Sequence, residues 1–178
     1  MGEDWIPFCK RDKLPIGLIM GIAASTLAPA LIWTVVFSLF NPLADKLSLA
    51  PSLRTVILLM GSLIGFIIQP IVGAISDGTT LKYGRRRIYM IVGGIVLVAG
   101  LLIVMFCEKL SNKLSGKQGF LIFGTILVFL AGNILQGPSR TLCSDVCPPQ
   151  QQVQMSSICG VYGGFGGVFT NLIGALSL

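Results

Sequence analysis

Charge in this chain is confined to its first 13 residues and to four short stretches, and that confinement decides what it can fold into. Five segments hold no Asp, Glu, Lys or Arg: Leu14 to Phe40, Thr55 to Ser76, Ile88 to Phe106, Phe120 to Pro138 and Ser156 to Leu178. They are 27, 22, 19, 19 and 23 residues long and make up 110 of the 178 residues. A hydrocarbon core about 30 Å thick is crossed by roughly 20 helical residues. Inside it the backbone must satisfy its own hydrogen bonds, which leaves helices or a closed barrel. Barrel strands would alternate in polarity over about 10 residues, and these runs do not. The sequence therefore predicts an all-α polytopic membrane protein, with transmembrane helices at 14–40, 55–76, 88–106, 120–138 and 156–178 behind a tail over 1–13.

Charged residues make up 11% of the chain, against about 25% in a soluble domain, so a water-soluble protein is excluded. The net charge of +6 is dispersed among the connections, which gives no basic face for nucleic acid. Lys10, Arg11 and Lys13 ahead of an apolar run, with Ala28-Pro29-Ala30 inside it, superficially fit a signal peptide. The run continues to Phe40, far past an h-region of about 7–15 residues, so the helix is expected to be retained. Lys and Arg in the tail and alternate connections number eight, against five in the others. Positive residues favour the cytoplasmic side, which places the N-terminus there, or on its topological equivalent, and Leu178 opposite.

Catalytic and metal chemistry find no foothold. The chain has no histidine, which removes Ser-His-Asp and Cys-His nucleophiles. It also lacks a phosphate-binding Walker loop. Of the five cysteines, Cys143 and Cys147 lie one helical turn apart and Cys9, Cys107 and Cys159 are scattered, whereas zinc wants four ligands at paired spacings. The expectation is no enzyme, no metal and no cofactor. The cysteines are free thiols, or for Cys143 and Cys147 at a membrane end, sites of reversible palmitoylation.

The informative residues are polar ones inside apolar helices, which are costly in lipid unless they meet a partner helix or a wet cavity. Asn133, Gln136 and Arg140 stand at i, i+3 and i+7 and share one narrow stripe of the fourth helix, extended a turn earlier by Phe129. They line a solute cavity, or Asn133 and Gln136 tie helices together while Arg140 snorkels to the surface. Thr26, Trp33 and Phe37 share a face of the first helix around Pro29. Trp33 at mid-membrane depth suits stacking on a sugar ring and suits helix packing equally. Gly61 and Gly65 form a GxxxG pair in the second helix, and Gln69-Pro70 interrupts its apolar run. Gly160, Gly163 and Gly167 in the glycine-rich fifth helix predict close packing against a partner.

The connection between helices two and three reads Gly73-Ala74-Ile75-Ser76-Asp77, then Lys82-Tyr83-Gly84-Arg85-Arg86-Arg87. It resembles the loop signature of the major facilitator superfamily, a Gly-x-x-x-Asp helix end followed by Gly-Arg-Arg. The longer Asp77-to-Gly84 spacing is similar to that of the plant sucrose carriers and their animal and fungal relatives, within the glycoside-pentoside-hexuronide group. Gln69-Pro70-Ile71-Val72-Gly73 looks like that group's Gln-Pro-Leu-Val-Gly, and Asn133-Ile134-Leu135-Gln136-Gly137-Pro138-Ser139-Arg140 looks like its Asn-Met-Leu-Gln-Gly-Pro-Cys-Arg.

The resemblance covers Leu14 to Leu178 and matches the first five helices of a twelve-helix fold, an incomplete N-terminal bundle. It implies a carrier for a small polar solute such as a sugar, working by alternating access, with helices one and four lining the cavity. Thr26, Trp33, Asn133, Gln136 and Arg140 would be its substrate-binding residues, and Gly73, Asp77, Gly84, Arg85, Arg86 and Arg87 its gating loop. The partners implied are the bilayer, the solute, and either a C-terminal bundle or other membrane subunits. The sucrose carriers place a proton-coupling Asp eleven positions before the helix-four Arg, where this chain has Phe129, so no proton coupling is expected through this region. Gly78 replaces the usual Arg after Asp77, and Gln152 and Gln154 stand where the loop is usually basic. Stopping after helix five fits a piece of a longer carrier, a subunit of an assembly, or a degenerate carrier kept for structural use.

Overall fold

The computed structural model describes residues 13–78 and 87–176, and all the regular structure among them is helical. The helices are α1 (Ile16–Ala23), α2 (Leu27–Lys46), α3 (Pro51–Gly78), α4 (Arg87–Leu110), α5 (Leu114–Val146) and α6 (Gln152–Leu176). A single 3-10 turn, Ala24–Thr26, joins α1 to α2, so the two form one span, Ile16–Lys46. Pro29 supplies the physical reason for the turn. It has no N–H to offer the carbonyl four residues earlier, at Ser25, and the backbone tightens there instead. Pro70 does not break its helix, for α3 runs through it.

α3, α4 and α5 extend past both ends of their charge-free runs, and the first span passes the C-terminal end of its own, because hydrogen bonding carries the backbone into the charged interface. Among the described residues, four spans have the length and hydropathy to cross a membrane: Ile16–Lys46, Pro51–Ser76, Arg87–Leu110 and Leu114–Val146. The fifth helix, α6, has 25 residues and a length of about 38 Å.

α5 is the centre of the bundle. Half of its apolar window is buried, against 17–22% in the other three spans, and it packs on α4, α3 and α2, while α6 leans on α2 and α1. Lipid tails are as apolar as leucine, so tight helix contact depends on close backbone approach. Glycines on α4 provide it: a Cβ on Gly100 would lie 2.9 Å from Val128 Cγ2 and 3.1 Å from the Val128 backbone nitrogen. The fit is reciprocal, since a Cβ on Gly124 would fall 2.8 Å from Val104 Cγ2. Outward faces are apolar, with Phe66 80% and Ile95 65% exposed on the surface that lipid covers.

Polar contacts fasten the two ends. At one, Lys46 Nζ pairs with Glu108 at 2.9 Å, Arg54 pairs with Asp45, and Gln118 Nε2 donates to the Leu47 carbonyl at 2.9 Å. At the other, the Gln151 amide accepts from the Leu14 N–H at 2.6 Å and donates to the Leu14 carbonyl at 3.2 Å. The first span is thereby held to the start of α6 across 137 residues of sequence.

The α4–α5 crossing yields a prediction. Gly100→Leu overpacks a backbone contact and is expected to cost about 1–3 kcal/mol, read as a lower unfolding temperature in detergent. Gly94→Leu, where a Cβ meets open space, should leave that temperature unchanged.

Candidate functional site

The polar stripe on α5 divides into two parts. Asn133 is 2% exposed and fully engaged: its Nδ2 donates to the Phe129 carbonyl at 2.9 Å and the Gly61 carbonyl at 3.4 Å, and its Oδ1 accepts from Gln69 Nε2 at 2.9 Å. Gln69 also donates to Gln136 Oε1 at 3.2 Å. The GxxxG pair of α3 makes room for this bridge, for a Cβ on Gly65 would fall 2.6 Å from Asn133 Oδ1 and one on Gly61 3.1 Å from the Phe129 ring. Gly61 and Gly65 on α3 thus face Phe129 and Asn133 on α5, each pair four residues apart.

Trp33 joins the two parts. It stacks between Phe129 and Phe37, with ring centroids 5.7 Å and 6.0 Å away. Its Nε1 is buried without a hydrogen-bond partner. On one side of the indole a cleft of about 500 Å³ between α2, α3 and α5 is lined by Phe37, Gly65, Phe66, Gln69 and Asn133.

On the other side lies a larger cavity, about 620 Å³, between the α1–α2 span, α5 and α6. Thr26 and Trp33 reach it from the first span, Gln136 and Arg140 from α5, and Ser156, Cys159, Gly160 and Gly163 from α6. The cavity extends to the end of the bundle where α5 stops and α6 begins, past Ser144 and Gln152. Arg140 is exposed and brings the only full charge among the described lining residues. The Thr26 hydroxyl donates to the Ala23 carbonyl at 2.7 Å, which leaves its oxygen free to accept.

Four of the five residues expected to bind solute, Thr26, Trp33, Gln136 and Arg140, therefore share one cavity, while Asn133 belongs to the neighbouring cleft and to the α3–α5 bridge. The glycines of α6 also divide. Gly160 and Gly163 do not pack on a helix: a Cβ there meets open space, and they form the smooth wall of the cavity. Close approach to the first span occurs at Gly166, whose Cβ would lie 3.4 Å from Ala30 Cβ, with Gly167 merely touching Thr34 Oγ1 at 3.9 Å. Ser156 and Cys159 were not singled out from the sequence, although with Gly160 and Gly163 they follow the i, i+3, i+4, i+7 period of one helix face.

Of the gating-loop residues, Gly73 and the backbone of Asp77 lie in the last turns of α3, and Arg87 opens α4 and is exposed. The Asp77 side chain and Gly84, Arg85 and Arg86 lie outside the described residues. Cys143 and Cys147 are buried, 4% and 2% exposed, so neither thiol is presented to a membrane-surface enzyme. Burial, then the neighbouring Cys159, pushes the Cys147 thiol pKa up.

Comparison with known proteins decides the family. The model of the Major Facilitator Superfamily matches residues 14–178. The chain belongs to the major facilitator superfamily. Among its relatives, a sucrose transport protein of Arabidopsis thaliana is 28% identical over 157 residues, covering 80% of this chain and 26% of the relative. The general alpha-glucoside permease of Schizosaccharomyces pombe is 28% identical over 168 residues, 90% of this chain and 30% of the permease. The human membrane-associated transporter protein is 26% identical over 144 residues, 76% of this chain and 27% of the relative. The chain spans between a quarter and a third of the length of these relatives. Membership in this superfamily makes it an integral membrane protein of a transporter family, in contact with lipid.

The α3–α5 bridge is open to a double-mutant cycle. Gln69→Ala and Asn133→Ala are expected to couple by about 0.6 kcal/mol, the average for such pairs in a membrane, in unfolding by denaturing detergent. Zero coupling would mean that the two amides do not meet.

Proposed function

We propose that this chain is the N-terminal part of a carrier for a small polar solute, a sugar, that works by alternating access against a second bundle. One observation carries the reading: Thr26, Trp33, Gln136 and Arg140, from two separate spans, converge on one cavity of about 620 Å³. That volume falls within the range of small-molecule sites, roughly 300–1,000 Å³. Two of the named relatives are a sucrose transport protein and an alpha-glucoside permease, which supports the sugar class.

Each residue has a chemical task suited to a polyol. Arg140 offers a planar array of up to five N–H donors to hydroxyl oxygens. The Gln136 amide can donate and accept, Thr26 accepts, and the Trp33 ring supplies an apolar face for the C–H side of a sugar. With the N-terminus on the cytoplasmic side, the end of the cavity lined by Ser144 and Gln152 is its cytoplasmic end. Asp77 at the end of α3, together with Gly84, Arg85, Arg86 and Arg87, forms the loop whose ion pairs bias inward against outward states, since any preference requires contacts that differ between them.

Proton coupling does not run through this region in our reading. The position that would hold a coupling carboxylate is Phe129, 1% exposed and stacked on Trp33, and no carboxylate lines the cavity among the described residues.

Arg140→Gln in the whole carrier should weaken solute binding by roughly 10–100-fold, the worth of a hydrogen bond to a charged group, about 1.5–3 kcal/mol. Arg140→Lys, which loses the planar fork, should fall between. Unchanged binding in Arg140→Gln, with the protein folded, would remove Arg140 from the site and leave it a snorkelling residue.

A further inference from the structure

Three thiols collect at the junction of the first span, α5 and α6. Cys143 Sγ lies 3.8 Å from Cys159 Sγ. The Cys143 thiol also sits 3.8 Å from Ser25 Oγ and 3.8 Å from the Ile22 carbonyl oxygen, against the 3-10 turn of the first span. Cys147 is close by, one turn beyond Cys143 and 2% exposed.

The positions of the close pair matter more than the count. Cys143 follows Gln136 and Arg140 at i+7 and i+3, so it lies on the cavity stripe of α5. Cys159 falls between Ser156 and Gly160 on the cavity face of α6. Both side chains line the cavity. Beyond Cys159, a Cβ on Gly160 or Gly163 of α6 would meet nothing within 4 Å. At the two sulfurs the α5 and α6 walls touch.

We propose that Cys143 and Cys159 form a redox-closable staple across this cavity, with a hydroperoxide as the oxidant. Cys159 is half-buried and Cys143 buried, so a small oxidant entering through the cavity meets Cys159 first. Its thiolate attacks the peroxide, breaks the O–O bond and becomes a sulfenic acid, while the other oxygen leaves as water once protonated. Cys143 Sγ then attacks that sulfur and expels the sulfenic oxygen as a second water. Two thiols and one hydrogen peroxide give one disulfide and two waters. The two sulfurs must then close from 3.8 Å to a bond of about 2.05 Å. That contraction draws α6 toward α5 one turn from Arg140 and narrows the cavity.

The test uses the whole protein in lipid nanodiscs, treated with hydrogen peroxide and then blocked with an alkylating agent. Digestion without reductant should yield a peptide pair joined through Cys143 and Cys159, absent in C143S and in C159S and reversed by dithiothreitol. A bond from Cys159 to Cys147 instead, or alkylated Cys143 and Cys159 after peroxide, would overturn the staple. Cavity narrowing has its own readout. Residues 1–178 hold two tryptophans, Trp5 and Trp33; with Trp5 and every tryptophan outside them replaced by Phe, quenching of Trp33 by acrylamide should fall on oxidation but not when C159S is added. Equal quenching before and after closure would overturn the narrowing. None of these readouts depends on which solute the carrier takes.

Discussion

A buried polar group in a bilayer must find its partner in the protein or in enclosed water, and this fold is arranged around that requirement. α5 carries Thr125, Asn133, Gln136, Ser139 and Arg140 and is the most enclosed of the four spans. Each group on it is resolved differently. Thr125 and Ser139 return their hydroxyls to carbonyls one turn back, at 2.8 Å in both cases. Asn133 is bound by Gln69 of α3 and by two carbonyls. Gln136 and Arg140, farther along the same stripe, face the cavity. The helix passes from internal glue to cavity-facing surface over two turns.

Glycine makes both halves of this arrangement work, by opposite means. At Gly61, Gly65, Gly100 and Gly124 the missing Cβ lets a neighbouring helix close to contact distance. At Gly160 and Gly163 the same absence holds space open. A stripe of small residues can thus mark a seam or a wall, and only the neighbours tell which. In an alternating-access carrier both are needed: seams that keep each bundle rigid and a wall that leaves room for cargo.

Much of the architecture could be read from where charge is missing. Four of the five uncharged runs coincide with the spans long and apolar enough to cross a membrane among the described residues, and the fifth overlaps α6; a 3.6-residue period put Phe129, Asn133, Gln136 and Arg140 on one face of α5. Periodicity orders residues around a helix but carries no information about what faces them. Asn133 and Gln136 are three residues apart, yet α3 covers one while the other reaches the cavity. Gly160, Gly163 and Gly167 form one face, yet the span packs at Gly166. The Gly100 and Gly124 seam and the meeting of Cys143 with Cys159 depend on contacts between helices and left no mark in either helix alone. Pro70 stays inside α3 without ending it, since a helix bearing one proline continues when neighbouring helices hold it.

The central claim is that water and solute reach the face formed by Gln136 and Arg140 while the outer faces meet lipid. Single cysteines in a cysteine-free background of the whole protein test it directly, with labelling by a charged maleimide from each side of membrane vesicles. A cysteine at Gln136 should label from one side and be protected by a saturating sugar, whereas cysteines at Phe66 and Ile95, though bare in the isolated bundle, should stay unlabelled. Labelling at Phe66 as fast as at Gln136, or none at Gln136 from either side, would contradict the account.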